Sequence, residues 1–386
     1  MHFKKWSAFF FEMKGKEIIK YLEDWAPKAI AWNNDNVGLQ IGVTETKIKN
    51  ILLSLDLSDD VIQSAIENDC NLIITHHPLL YHPLKKLDFS NDQNARLIQK
   101  LIKNNISLYS AHTNLDFTKH GVSFQLAKRL DLKQISFLKN LSNNQIKLAV
   151  FVPASHVDVV AEAIHQSGGG IIGEYADCSF RTLGTGTFKG SQESNPSAGN
   201  KGKTEFVEEV KLEVLVDDWK INQVINSVKK VHPYEEVAYD IFTLKNDNVN
   251  YGIGAIGKLD SEMNVIEFLD FVSSKLKVNS FRYSAGRKQK IETVAVCGGS
   301  CGELLDYAIS TNVDAFITAD LKYHSFRDAE DKILLIDAGH YETEIPVLDE
   351  VQKRLKVFID KEDKIKVLKF KGSTNPIDFY NKKGAS

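Results

Sequence analysis

Three short segments carry side chains able to grip a cation. Thr75-His76-His77-Pro78 closes the apolar run LIIT at 72–75. His112-Thr-Asn-Leu-Asp116 follows the run ISLYSA at 106–111. Asp337-Ala-Gly-His340-Tyr-Glu-Thr-Glu344 closes the run ILLID at 333–337. Each segment sits where a buried strand ends, and open α/β sheets gather their sites at such ends. Neighbouring side chains on extended backbone point to opposite sides, so His76 and His77 can address two ions instead of chelating one. His112 and Asp116, like His340 and Glu344, are spaced i and i+4, and a helical turn puts each pair on one face. Gly339 allows the chain a sharp turn before His340. Glu342 lies on another face. Each segment alone has a bland reading, as a satisfied histidine pair or a capping turn. Three together offer His76, His77, His112, Asp116, His340 and Glu344. Mixed imidazole and carboxylate donors without a thiolate suit Zn, Mn, Fe, Co or Ni rather than Ca or Mg. A carboxylate has two oxygens with which to bridge two ions, and such pairs drive hydrolysis.

These residues need a scaffold that brings both ends of the chain together. Strands at 51–56, 72–75 and 106–111 alternate with helical patterns at 58–68 and 92–104. Near-continuous apolar strands indicate a mainly parallel sheet covered on both faces. From about residue 140 the rhythm changes. It reads β-α-β-β-β-α-β, a ferredoxin-like arrangement with an extra hairpin strand. The polar segment 190–204 between its halves reads as a mobile loop. After 251 the α/β rhythm returns, with helices at 261–276, 302–311, 324–331 and 341–356 and strands at 291–297, 314–318, 333–337 and 365–370. The expected organisation is therefore a split α/β domain, 13–139 and 251–374, interrupted by an inserted α+β module at 140–250. Residues 1–12 and 375–386 read as flexible tails, with Met13 as the natural start.

The 386 residues carry a net charge of −3, which gives no electrostatic footprint for nucleic acid. No stretch approaches the roughly 18 apolar residues of a membrane span. Four cysteines are too few for a disulfide framework and fit the reducing cytoplasm. Cys297 and Cys301 read as small residues packed in a turn. Gly202-Lys203-Thr204 ends like a phosphate loop, but Ser197 stands where the first glycine belongs and no helix follows.

The chain resembles the NGG1-interacting-factor-3-like family, also known as GTP cyclohydrolase I type 2 homologues. The resemblance rests on Trp32-Asn-Asn-Asp-Asn36-Val-Gly38-Leu-Gln-Ile-Gly42, Thr75-His-His-Pro78, Ala111-His-Thr-Asn-Leu-Asp116 and His232-Pro-Tyr-Glu-Glu236. It continues in Thr318-Ala-Asp320-Leu-Lys-Tyr-His324 and Asp337-Ala-Gly-His-Tyr-Glu-Thr-Glu344. Ala319 departs from the family's usual glycine. The resemblance implies a dinuclear centre of two divalent metal ions held by His76, His77, Asp116, His340 and Glu344. It also implies a toroidal homohexamer and a PII-like inserted module.

The expected function is a metal-dependent hydrolase acting on a nucleotide or related small molecule through a metal-bound hydroxide. His112 and His324 are the candidate acid–base residues. Asn36 and Asp320 are expected behind the ligands or against substrate. The alternative is a metal-binding regulator without turnover, with a ligand-sensing insert. The presence of a general acid or base beside the metals separates the two.

Overall fold

The computed structural model describes residues 13–197, 199–359 and 363–380. Residues 1–12 and 381–386 lie outside the described residues, while the tail expected from 375 begins ordered, with Asn375 hydrogen-bonded to Glu342 and Ser373. The chain divides into two compact units, one made of Asn140–Gly252 and the other of the segments before and after it.

The outer unit is mixed α/β, with two sheets where the sequence suggested one. In the first, the strands lie in the order Gly38–Ile41, Ser107–Ser110, Leu72–Thr75, Asn50–Ser54, Lys366–Lys369. Only Gly38–Ile41 runs antiparallel to its neighbour. Alternate strand residues feed different cores. Ile51, Leu53 and Ile74 pack under the helices Gly15–Trp25 and Val347–Phe358. Leu52 and Ile73 pack under Asp59–Glu67 and Gln93–Lys103. Burial on both faces is why these strands read as unbroken apolar runs.

The second sheet is ordered Arg282–Ser284, Leu334–Asp337, Ala315–Ala319, Lys290–Ser300, Asp247–Asn264, Lys133–Ser142. Its middle strands are parallel, and Arg282–Ser284 and Asp247–Asn264 pair antiparallel to theirs. The expected helix at 261–276 begins at Val265, because the long strand Asp247–Asn264 runs through its proposed first turn. Asn264 then caps the helix, accepting from the Glu267 amide at 3.0 Å while Glu267 accepts from the Asn264 amide at 3.0 Å.

The inserted unit runs β-α-β-β-α-β. Its strands lie in the order Phe180–Lys189, Thr204–Asp217, Gln145–Pro153, Tyr239–Leu244, all antiparallel. The extra hairpin strand is absent among the described residues. The segment before Phe180 forms only an isolated bridge, Ile172 to Tyr175. Val160, Ile164, Val224 and Val228 on two helices cover one face, against Leu148, Val150, Leu212 and Val214. No described helix is long and apolar enough to cross a membrane.

Candidate metal centre

The strand ends of the outer unit deliver the three segments to one place. The backbone amides of His76 and His77 both donate to Leu55 O, at 3.1 and 2.9 Å, so the histidine pair stays pinned beside the neighbouring strand end. His112 caps the one-turn helix Thr113–Asp116. Gly339, at φ +92°, turns the chain into the helix His340–Glu344, and that conformation favours glycine.

Four imidazoles are braced in the same way. The Nδ1 of His76 contacts Ala111 O at 2.7 Å, and that of His77 contacts Asp56 Oδ1 at 2.8 Å. His112 Nδ1 lies 2.9 Å from both oxygens of Asp35, and His340 Nδ1 lies 2.6 Å from Asp320 Oδ2. Every partner is an acceptor. With Nδ1 as donor in each ring, each Nε2 carries a free lone pair when the ring is neutral.

Those Nε2 atoms converge. His77 and His340 face each other Nε2 to Nε2 at 3.3 Å. Glu344 Oε1 lies 3.0 Å from His340 Nε2 and 3.6 Å from His76 Nε2, and its Oε2 lies 3.0 Å from His77 Nε2. Asp116 Oδ1 lies 3.5 Å from His76 Nε2. His76, His77 and His112 form one group whose ligand atoms all fall within 4.8 Å of one another, and His77, His340 and Glu344 form a second. His77 belongs to both.

The arrangement fits a cation. Two lone pairs opposed at 3.3 Å repel unless a proton or a metal lies between them. Ligand bonds of about 2.0–2.1 Å at tetrahedral angles place donor atoms about 3.3–3.4 Å apart, which matches the spacings here. Buried His76 Nε2, Asp116 Oδ1 and Glu344 Oε2 lack hydrogen-bond partners. Buried polar atoms are almost always paired, so three orphans at one point mark a site that wants a further group.

Electrostatics without a metal is correspondingly tense. Burial acts against charge on His77, yet the nearby carboxylates of Asp56 and Glu344 outweigh it and hold its pKa at about 10. Burial is likewise outweighed at His340 by Glu344 and Asp320, leaving it at about 9. For His76 burial dominates and lowers the pKa. Burial and then the neighbouring Glu344 push the Asp116 carboxyl well above its usual range. Burial would also raise Glu344, but His76, His340 and His77 together pull it well below.

A family model described as Duf34/NIF3 (NGG1p interacting factor 3) matches residues 13–376. The chain belongs to the Duf34/NIF3 family. Proteins named GTP cyclohydrolase 1 type 2 homolog are similar along almost their whole length. The one from Bacillus subtilis is 38% identical over 370 residues, covering 95% of this chain and 99% of that protein. The one from Halalkalibacterium halodurans is 37% identical over 367 residues, covering 95% and 98%. Among solved structures, a Bacillus cereus protein related to NIF3 superposes with TM-score 0.83 at 34% identity, covering 96% of this chain and all of that one.

In this Duf34/NIF3 chain, His76, His77, His112, Asp116, His340 and Glu344 come together. Asp320 stands directly behind His340. Asn36 is exposed, and its amide group donates to Leu80 O, while the adjacent Asp35 braces His112. His324 is exposed, its ring 5.5 Å from Tyr323, and it is not among the converging donors. Two residues escaped sequence reasoning. Asp56 lies just past the strand Asn50–Ser54, at the end of the apolar run ILLSLD. Gly299, at φ +70°, lets the chain pass against the cluster. A Cβ there would meet Glu344 Oε1 at 2.3 Å. The turn expected at Cys297-Gly-Gly-Ser-Cys301 is instead the end of the strand Lys290–Ser300, whose register shifts between Val296 and Ser300, and Cys297 and Cys301 are paired as a disulfide.

Proposed function

We propose that this chain is a metal-dependent hydrolase acting on a nucleotide or a related small molecule. His76, His77, Asp116, His340 and Glu344 hold two divalent cations drawn from Zn, Mn, Fe, Co and Ni. The observation that carries the reading is the convergence of braced imidazoles on carboxylate oxygens that have no other partner. When bound, such cations would supply Lewis acidity and lower the pKa of a water nucleophile.

The chain's own residues supply the rest. Glu344 reaches toward His340 and His76 with one oxygen and toward His77 with the other, as a shared ligand would. His112 turns its Nε2 toward the same space. Asp35 behind it fixes the tautomer and the orientation of the ring, the arrangement of a general base with an orienting carboxylate. Thr113 donates to Asp35 Oδ2 through its amide at 3.1 Å and through its hydroxyl, so the carboxylate itself is held. The likeness to proteins named GTP cyclohydrolase 1 type 2 homolog makes GTP the first substrate to try. The family resemblance carried by the sequence motifs extends the proposal to a ring-shaped homohexamer, and the sparse cysteines extend it to a cytoplasmic setting.

One observation favours a second reading, a metal-binding regulator whose PII-like insert senses a small ligand. The inserted unit has its own core and a cleft of about 290 Å³ beside Phe188, Glu209 and Tyr234, and it contributes none of the clustered donors. The deciding experiment is metal analysis of protein purified without added metal, followed by a hydrolysis screen of nucleotides and phosphoesters. About two metals per chain with turnover abolished in His112→Asn supports the hydrolase. Two metals without turnover on any substrate supports the regulator. No metal sinks both.

A further inference from the structure

The segment after the last strand passes over the candidate centre and touches it from two sides. Lys366–Lys369 pairs in parallel with Asn50–Ser54, and the Phe370 amide continues the ladder to Leu53 O at 2.9 Å. Parallel pairing carries the chain to the strand end where Asp56 sits. There the Thr374 hydroxyl donates to Asp56 Oδ2 at 3.2 Å, while Asp56 Oδ1 holds His77 Nδ1 at 2.8 Å. Both carboxylate oxygens of Asp56 are thereby occupied.

The next residue reaches another element. Asn375 Nδ2 donates to Glu342 Oε1 at 2.9 Å. Glu342 belongs to the short helix that carries His340 and Glu344. Its side chain lies over Gly339, where a Cβ would meet Oε2 at 2.2 Å. Asn375 is held in turn, accepting from the Ile377 amide at 3.1 Å and donating its own amide to Ser373 Oγ at 3.2 Å. Thr374 and Asn375 are both half-buried.

We propose that Thr374 and Asn375 form a clasp that positions the His77, His340 and Glu344 donors relative to one another. His77 hangs on a strand end and the other two on a separate helix, far apart in sequence. Their mutual spacing depends on what ties those elements together. Thr374 acts through Asp56 on the orientation of His77. Asn375 acts through Glu342 on the start of the helix. Both are positioning residues, and neither touches the donors directly. The inference rests on the metal reading of this site and adds to it which chain segment tunes one half of the centre.

The test uses full-length protein loaded with Co²⁺, with affinity for each equivalent measured by chelator competition and the visible Co²⁺ spectrum recorded. Thr374→Val with Asn375→Ala is expected to weaken one metal equivalent about 10–100-fold, the usual cost of losing groups behind the ligands. The other equivalent, nearer His76 and Asp116, is weakened less, through the donors the two share. The spectrum of the weakened equivalent shifts, and Thr374→Ser on the Asn375 background restores part of the loss. Metal-free melting of each variant is measured alongside. Wild-type affinity for both equivalents in the double variant overturns the clasp. So does equal weakening of both equivalents together with a lower metal-free melting point, which marks a merely structural contact. A wild-type protein that takes up no metal fails differently, since it removes the metal reading itself and the clasp with it.

Discussion

His76 in the outer unit and His232 in the inserted unit are both buried histidines, and burial lowers the pKa of each. They differ in what their nitrogens meet. His232 lies 3.0 Å from Phe151 O through Nε2 and accepts from the Tyr234 amide at Nδ1 at 3.1 Å, so both nitrogens are used. His76 gives Nδ1 to Ala111 O and leaves Nε2 without a hydrogen-bond partner, facing Glu344 and Asp116. The first is a structural histidine that holds a turn where a helix ends. The second is half of an interaction that needs another group. Motif density does not separate them, because His232-Pro-Tyr-Glu-Glu236 is as rich in polar residues as Thr75-His-His-Pro78. Satisfaction of the second nitrogen does.

The comparison is broken most severely at Glu344. Glu344→Gln keeps the volume and removes the negative charge shared by His76, His77 and His340. Two cations held close together then lose the anion between them, and mutual repulsion expels at least one. Metal-to-protein ratios are expected to fall from about two to one or fewer, a loss beyond the roughly 10–100-fold of a change behind the ligands. Retention of both metals would remove Glu344 from the ligand set.

Much of this was legible before the fold was known. The three donor segments could be placed at strand ends because burial on both faces leaves a plain signal in 51–56, 72–75 and 106–111. The three central parallel strands of the five-stranded sheet follow from that signal. The second sheet was harder. Asp247–Asn264 alternates buried and exposed positions irregularly along its length and ends in DSEMN, which reads as the start of a helix. Gly38–Ile41 and Arg282–Ser284 are short edge strands whose pairing depends on distant partners. At the site, side chains that meet the metal-facing cluster were found from type and spacing. Asp56 and Gly299 were not, because their place beside the cluster depends on which neighbour the fold supplies, and one sequence does not record that.

A smaller and graded effect comes from protons. In the metal-free protein His77 and His340 stay charged up to about pH 10 and 9, held by Asp56, Glu344 and Asp320 against the cost of burial. Both values lie above the roughly 6.5 of an unfolded histidine. Their contribution to stability is therefore fully present below about pH 6.5 and is lost as pH rises through about 9 to 10. Metal binding needs the neutral rings, so uptake releases these protons. Affinity is expected to climb with pH between about 6.5 and 9, by roughly tenfold per unit for each proton released. Titration calorimetry in buffers of different ionisation heat counts those protons. His76, whose pKa is lowered, contributes none near neutrality. A flat affinity across that range would mean the donors bind metal from an already neutral state.

The smallest expected effect on the centre sharpens the comparison from its other side. His232→Ala removes an acceptor from the Tyr234 amide and a partner from Phe151 O, both in the inserted unit. Stranding two backbone groups costs about 1–3 kcal/mol where they stay dry, and less where water reaches the turn. The loss is local, since Phe151 lies on the strand Gln145–Pro153 and Tyr234 between the helix Ile221–Val231 and the strand Tyr239–Leu244. Amide hydrogen exchange is expected to speed up around those residues, with metal content and metal affinity unchanged. His76→Ala gives the reverse pattern, with metal lost and exchange in the inserted unit unaltered. If His232→Ala also lowered metal content, a histidine with both nitrogens occupied would be reaching the centre by a route its contacts do not contain, and satisfaction of the ring would fail as the criterion that separates the two kinds of buried histidine.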